Sequence, residues 1–228
     1  MAWEVSVAEN PRWRDAQADE AFWASRARSY DERSPLASCA TELVADLRSL
    51  LSPGGTLLEI GAGTGAFTRQ LAPNLSEVTC VEPSSAMRRA FASAWNHPLH
   101  VRSIASDWLT APENLAADLV LCVNALYRTA DIATALEKMT RAARGHVAIA
   151  QSVGRPHARP LKFYEAGRLW ERERADALGH VLDALGLAYR REDYDVMRPD
   201  GGSVVALLVW RGSNPTSSPA PRCRSAHT

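Results

Sequence analysis

The residues of this sequence that could do chemistry are a run of alternating glycines and three acids that each end a predicted strand. Glu59 stands two residues before the first of the glycines, Gly61, Gly63 and Gly65. Glycine tolerates positive φ and lets the backbone touch a bound molecule. A helix that begins at such a turn presents unpaired N–H groups to the same molecule. The pattern therefore predicts a nucleotide-like ligand held at this turn.

The other two acids follow later strands. Glu82 comes 17 residues after Gly65 and directly precedes Pro83, and Asp107 directly precedes Trp108. One carboxylate can accept hydrogen bonds from both vicinal hydroxyls of a ribose, which makes an acid the expected side chain at the end of the second strand.

Predicted strands and helices alternate along the chain, and this alternation is typical of βαβ units with a parallel sheet. We expect an α/β fold: a doubly wound, mostly parallel seven-stranded sheet with an antiparallel C-terminal edge hairpin and extra N-terminal helices. One domain is predicted over residues 1–211, with a helical lid at 1–34, a substrate-side loop and helix at 152–187, and a disordered tail at 212–228. The predicted strands are 57–60, 77–82, 100–104, 118–123, 146–151, 188–194 and 203–210, and the predicted helices are 11–34, 35–51, 64–71, 84–94, 131–144 and 167–185. The charged run 171–174 is interpreted as a solvated helix face.

The composition excludes several functional classes. Lysine plus arginine equals aspartate plus glutamate at 26 each, so no basic excess favours a nucleic acid. The four cysteines form no CxxC pair, and no histidine pairing suggests a metal site. No apolar run approaches the ~20 residues that span a bilayer, and residues 1–10 lack the apolar core of a signal peptide. A cytoplasmic protein, a monomer or a homodimer, with no membrane partner is expected.

The glycine turn alone leaves two cofactor classes open, because Gly61, Gly63 and Ala66 also fit the loose dinucleotide pattern. The run from Glu59 to Gly65, read with the order of the elements, resembles the first motif of class I S-adenosylmethionine-dependent methyltransferases. The resemblance covers roughly residues 35–210. The acid before the first glycine, the GxGxG spacing, the helices before the first strand and the terminal hairpin all favour this family over nicotinamide-dependent enzymes.

The resemblance implies the cofactor S-adenosyl-L-methionine, with S-adenosyl-L-homocysteine as product. In this family the first acid accepts from the cofactor's ammonium group, the second grips the ribose, and the third holds the adenine amino group. A neighbouring Trp108 would pack on the adenine or offer its backbone N–H. The positions to which cofactor binding is carried over are Glu59, Gly61, Ala62, Gly63, Gly65, Glu82, Pro83, Asp107, Trp108 and Asn124.

The acceptor is expected at the ends of the fourth and fifth strands. Asn124 and Tyr127 keep the outer letters of the Asn-Pro-Pro-Tyr motif of enzymes that methylate planar amino groups, but both prolines are missing. Methylation of nucleic-acid amines is therefore discounted. His157 and Tyr127 are the candidate catalytic residues, His157 as a proton acceptor. Substrate contacts are expected from Trp23, Tyr30, Tyr127 and Arg155.

The sequence therefore predicts a methyltransferase that acts on a small molecule by in-line transfer. Three alternatives stay open: a nicotinamide-dependent oxidoreductase, a non-catalytic S-adenosylmethionine-binding module, and a methyltransferase acting on a macromolecule.

Overall fold

The computed structural model of this chain describes residues 8, 10–154, 158–166 and 168–214. It contains a seven-stranded sheet with the strand order β3-β2-β1-β4-β5-β9-β8. The first five strands pair in parallel, and β9 pairs antiparallel with both β5 and β8. The predicted α/β architecture and its antiparallel edge hairpin are confirmed. The strands are β1 (Gly55–Ile60), β2 (Leu75–Val81), β3 (Val101–Ile104), β4 (Ala117–Val123), β5 (Ala143–Val153), β6 (Leu161–Glu165), β7 (Arg168–Arg172), β8 (Tyr189–Arg198) and β9 (Gly201–Arg211).

Helices cover both faces of the large sheet, as the apolar central strands require. On one face pack side chains that include Leu136, Met139 and Leu178, and on the other Leu43, Leu47 and Leu71. The α-helices are α1 (Pro11–Arg14), α2 (Ala16–Ala24), α3 (Tyr30–Arg33), α4 (Leu36–Cys39), α5 (Thr41–Ser49), α6 (Ala66–Leu71), α7 (Ser85–Ala94), α8 (Ile132–Ala142) and α9 (Arg174–Ala184) among the described residues, with short 3₁₀ turns at Ala27–Ser29, Ala72–Asn74, Trp108–Thr110 and Leu126–Arg128.

Side-chain caps explain where two of these helices begin. Ser84 accepts from the backbone N–H of Met87 at 3.2 Å, and Asp131 accepts from that of Thr134 at 3.1 Å. Each cap satisfies an N–H that has no partner inside the helix. The helices start where these residue types predict, and this fixes the loops that lead into them from β2 and β4.

The predicted helix 167–185 is wrong in its first half. Strands β6 and β7 form a separate two-stranded sheet in which Phe163 pairs with Trp170, and the helix begins only at Arg174. The interpretation of 171–174 as a solvated helix face is also wrong, since Arg174 is buried and donates from Nε to the carbonyl of Arg159 at 3.1 Å. Backbone pairing between the two strands outweighs helix propensity here.

The N-terminal helices are shorter than predicted. The predicted helix 11–34 is divided into α1, α2 and α3, and the predicted helix 35–51 is broken at the buried Ala40, whose φ and ψ are −90° and 59°. Among the described residues no helix is long and apolar enough to cross a membrane. The cytoplasmic location, the oligomeric state and the domain limits stay predictions.

Candidate functional site

The glycine turn after β1 has the backbone that its sequence predicts. Gly61, Gly63 and Gly65 have φ values of 66°, 57° and 75°, in the left-handed region that glycine favours. A Cβ added at Gly61 would lie 2.2 Å from the Cβ of Ala125, and one at Gly65 would lie 2.3 Å from the ring of Phe91. A Cβ at Gly63 would meet nothing within 4 Å. The outer glycines therefore allow close packing, whereas the middle one leaves open space for a ligand.

Glu59, the second-last residue of β1, has a buried carboxyl group. It accepts a hydrogen bond from the hydroxyl of Thr68 on α6, which lies directly above the strand. Burial raises the pKa of Glu59 to about 7, although the Thr68 hydroxyl acts in the opposite direction. Near neutral pH this group can therefore exist in either protonation state.

Glu82 joins the end of β2 to the glycine turn. Its Oε2 accepts from the backbone N–H of Gly63 at 2.9 Å, and its Oε1 accepts from that of Ser84 at 2.8 Å. Burial raises the pKa of Glu82, and these two backbone hydrogen bonds oppose that effect. Each carboxylate oxygen keeps a further lone pair, so the group can still accept two hydroxyls.

In the loop after β3, the side chains of Asp107 and Trp108 have different surroundings. Asp107 is exposed and directly precedes the turn Trp108–Thr110, without a side-chain hydrogen bond to it, on the wall of a groove that it shares with Pro83 and Ser106. The indole of Trp108 is buried in the core, where its Nε1 donates to the carbonyl of Ala135 at 3.0 Å. The indole of Trp108 therefore packs in the core, and contact with the cofactor through its backbone N–H stays a prediction.

Asn124 ends β4 in a left-handed conformation, with φ at 52°. Its Oδ1 accepts from the backbone N–H of Ser152 at 2.8 Å and from the amide of Gln151 at 3.0 Å, and its Nδ2 donates to the Ser152 hydroxyl at 3.0 Å. The side chain thus joins the ends of β4 and β5, and Asn124 lines a cavity together with Gly61, Gly63 and Ala125.

Three aromatic side chains predicted to contact substrate meet above the turn. The ring centroids of Trp23 and Tyr30 are 5.9 Å apart, and those of Trp23 and Tyr127 are 6.0 Å apart. The Nε1 of Trp23 donates to the Tyr127 hydroxyl at 2.6 Å. The predicted helix 11–34 is broken between Trp23 and Tyr30, yet their rings still pack against each other.

These residues enclose two small adjoining cavities and one groove. The first cavity, of about 80 Å³, lies among Glu82, Met87, Trp23 and Tyr127, and the second, of about 70 Å³, lies beside Glu59. The groove of about 440 Å³ continues past Asp107. The residues common to both cavities are Tyr30, Gly61, Gly63, Val123 and Asn124. A wider groove of about 650 Å³ on the outer side of the lid touches only Thr64 of the turn and is not part of the site.

Sequence reasoning missed the acids that attach the N-terminal segment to this site. Asp19, Glu20 and Asp31 lie on the N-terminal segment and contact, respectively, the loop after β4, the start of α7 and the glycine turn. Their partners are distant in sequence, so no local pattern identifies them. His157 and Arg155 lie outside the described residues, and their roles stay predictions.

The part of the chain that contains the glycine turn matches a model of a known protein family. Residues 58–145 match a family model described as a methyltransferase domain, which confirms the predicted methyltransferase class. No curated protein is significantly similar to this chain in sequence.

Solved structures share the fold. The DhpI–SAH complex is 19% identical, with 87% of this chain and 98% of that chain covered and a TM-score of 0.61. Magnesium protoporphyrin IX methyltransferase (ChlM) from Synechocystis PCC 6803 with bound SAM is 16% identical, with 85% and 91% covered and a TM-score of 0.58. The 1,6-didemethyltoxoflavin-N1-methyltransferase of Burkholderia thailandensis, with its substrate and S-adenosylhomocysteine bound, is 17% identical, with 86% and 87% covered and a TM-score of 0.58. At these identities the likeness concerns the fold.

Proposed function

We propose that this chain, which carries a methyltransferase domain at residues 58–145, transfers a methyl group from S-adenosyl-L-methionine to a small-molecule acceptor. The observation that carries the proposal is the arrangement around Gly63. Its N–H fixes the Glu82 carboxylate, and the space beside its Cα is open. A cofactor with a ribose and an amino-acid end fits such a cradle.

Two buried acids divide the recognition of this cofactor. Glu82 accepts the ribose hydroxyls through the lone pairs that its two backbone partners leave. Glu59, which lies beside the second cavity with Gly61 and Ala62, accepts from the ammonium group, directly or through water. Pro83 and Asp107 line the groove that continues from the ribose position, where the adenine is placed. Gly65 and Asn124 hold the backbone of the turn and of the β4 loop in position.

When bound, the cofactor supplies a methyl group on a positively charged sulfur, and transfer leaves a neutral thioether. The contribution of the chain is to hold the acceptor in line, which can lower the barrier by ~7–11 kcal/mol. Trp23, Tyr30 and Tyr127 form aromatic walls that exclude water from this position.

Tyr127 acts in this proposal as a neutral wall and not as a base. Its hydroxyl donates to Asp19 at 2.9 Å, and burial together with the Asp19 charge raises its pKa. A phenol held in this way keeps its proton near neutral pH. Removal of a proton from the acceptor, where the acceptor requires it, is assigned to His157.

A small acceptor is favoured because the N-terminal segment closes over the site. Solved methyltransferases with this fold include one with bound 1,6-didemethyltoxoflavin, a small molecule. The net charge of zero gives no general attraction for a polyanion.

The binding of S-adenosylhomocysteine, measured by calorimetry, tests the cofactor assignment. We expect Glu82→Gln to weaken the affinity by ~10- to 100-fold, because the amide NH₂ meets a backbone N–H and a buried hydrogen bond is lost. Glu77→Gln, at an exposed position of β2, is the matched control and should bind like the wild type. Tighter binding of NADH than of S-adenosylhomocysteine would refute the assignment. Transfer of a labelled methyl group to members of a small-molecule panel then tests the acceptor class.

A further inference from the structure

Asp19 is a buried carboxylate that joins the lid to the loop after β4. It lies on α2 and is 2% exposed. Its Oδ2 accepts from the Tyr127 hydroxyl at 2.9 Å, from Arg128 at 3.1 Å and from the indole of Trp23 at 3.2 Å. Its Oδ1 lies 3.3 Å from Nε of Arg12. One side chain therefore connects two segments more than a hundred residues apart.

Two of these partners are walls of the candidate site. Trp23 and Tyr127 both line the first cavity, and their hydrogen bond to each other makes a triangle with Asp19. The Tyr127 ring is held with its hydroxyl directed at Asp19. Because the hydroxyl proton is donated to Asp19, the orientation of both rings depends on this carboxylate.

The charge balance explains why the group can be buried. Two guanidinium groups, of Arg12 and Arg128, flank the carboxylate on opposite sides. A buried charge that is paired and hydrogen-bonded is tolerated, whereas removal of the charge leaves its partners uncompensated. Asp19→Asn would therefore loosen both arginines and both aromatic rings.

We infer that Asp19 is a positioning residue, which fixes the aromatic wall of Trp23 and Tyr127 over the bound cofactor and thereby slows cofactor release. This inference rests on the proposed function for the identity of the ligand. Asp19 acts through its partners and not by contact with reacting atoms. Glu20, its neighbour, offers a contrast, because it attaches the lid to the start of α7 through Ser85 and Ala86 and does not contact the wall.

The test is a double-mutant cycle on the dissociation rate of S-adenosylhomocysteine, measured by stopped flow with the full chain. We expect Asp19→Asn to accelerate dissociation by ~tenfold, which corresponds to ~1.4 kcal/mol, and Tyr127→Phe to have little further effect in that background. The same Tyr127→Phe change should keep its full effect in a Glu20→Gln background. Coupling is expected only between groups that act as one unit. Additive effects of Asp19→Asn and Tyr127→Phe would overturn the inference.

Hydrogen exchange of the unliganded variants separates this inference from the cofactor assignment. Asp19→Asn should raise exchange in residues 16–24 and in residues 124–128 together, while Glu20→Gln should leave 124–128 unchanged. If residues 124–128 are unaffected in Asp19→Asn, the inference is wrong even when the ligand binds. If the wild type fails to bind S-adenosylhomocysteine but the exchange pattern appears, only the cofactor assignment fails. If Asp19→Asn does not fold, the cycle is repeated with Asp19→Glu, which keeps the charge but shifts the carboxylate, and Tyr127→Phe, where additivity again overturns the inference.

Discussion

The two buried acids of this site differ in the groups that act on their pKa values. Glu59 and Glu82 are both buried acids at strand ends, but Glu59 accepts from one hydroxyl and Glu82 from two backbone N–H groups. Fixed backbone donors favour a carboxylate, whereas burial favours the protonated acid. Burial raises the pKa of both groups, and that of Glu59 reaches about 7, so the charge of Glu59 depends on pH in the neutral range.

This shift predicts a pH dependence of stability. The pKa of Glu59 is about 7 in the folded chain against an ordinary value of 4.5. Between these values the folded state binds more protons than the unfolded state, so the free energy of unfolding falls as pH rises. At ~1.4 kcal/mol per pKa unit, the raised pKa of Glu59 stabilises the folded chain at low pH by an amount on the order of 3 kcal/mol. This stabilisation is lost completely once the pH exceeds 7.

The measurement is urea unfolding of the wild type and of Glu59→Gln from pH 4.5 to 8. The wild type should lose stability relative to Glu59→Gln over this window, because the amide does not titrate. Parallel pH profiles for the two proteins would show that Glu59 titrates normally.

Among single residues, those that stand in a recognisable local sequence pattern could be predicted as site residues. Glu59 and Glu82 were predicted because each follows an apolar strand at a fixed distance from the glycines. Asp19 was not predicted, because its role depends on Tyr127 and Arg128, which only the fold brings to it. An acid within a charged helix has no local feature that distinguishes it from a solvated one.

At the scale of elements, the glycines of this chain differ in what an added side chain would meet. Some positions have only a strained backbone, one is also tightly packed, and one borders the proposed ligand space. Gly54 and Gly63 both have positive φ and no atoms within 4 Å of an added Cβ, whereas Gly65 has positive φ and the Phe91 ring at 2.3 Å. An alanine in the left-handed region costs roughly 1–2 kcal/mol. Overpacking adds roughly 1–3 kcal/mol.

We therefore expect different outcomes for three alanine variants. Gly54→Ala, the control, should lose roughly 1–2 kcal/mol in urea unfolding and bind S-adenosylhomocysteine normally. Gly63→Ala should lose a similar amount of stability but at least ~tenfold in affinity, because its methyl group enters the cofactor space. Gly65→Ala should be the least stable of the three. Normal affinity of Gly63→Ala would place the ligand elsewhere.

Element prediction succeeded where one local rule sufficed. Buried apolar runs marked β1, β2, β4 and β5, whereas β3 is short and largely exposed, and Ser84 and Asp131 marked helix starts. The hairpin of β6 and β7 was missed because its sequence is compatible with a helix, and its strands are held by the backbone pairing of residues 161–165 with residues 168–172. Such pairing is a property of two segments, and one segment alone does not reveal it.

For the whole molecule, the mostly parallel seven-stranded sheet and its edge hairpin were predicted, but the strand order and the small cavities under the N-terminal segment were not. The two cavities under the lid measure about 80 and 70 Å³. Ligand pockets in proteins usually measure ~300–1,000 Å³. The adjoining groove of about 440 Å³ is larger, but the two cavities lie below this range, so we expect the N-terminal segment to move when a cofactor enters or leaves.

Two lid carboxylates hold this segment at points away from the aromatic wall. Glu20 accepts from the Ser85 hydroxyl at 2.6 Å and from the Ala86 N–H at 3.1 Å, and Asp31 accepts from Thr64 and pairs with Arg69 at 2.5 Å. If opening precedes binding, the association rate should reach a plateau that equals the opening rate as the ligand concentration rises.

The prediction for the whole molecule is that Glu20→Gln combined with Asp31→Asn raises this plateau by ~tenfold, since the loss of ~1.4 kcal/mol at these contacts lowers the opening barrier. Stopped-flow mixing with increasing S-adenosylhomocysteine measures it. Glu32→Gln, at an exposed position in the same turn as Asp31, is the control and should keep the wild-type plateau. An association rate that rises linearly to the highest ligand concentration in the wild type would mean that the lid does not gate the site. A plateau that the double variant leaves unchanged would mean that the gate is held by other contacts, of which the Asp19 cluster is the first to examine.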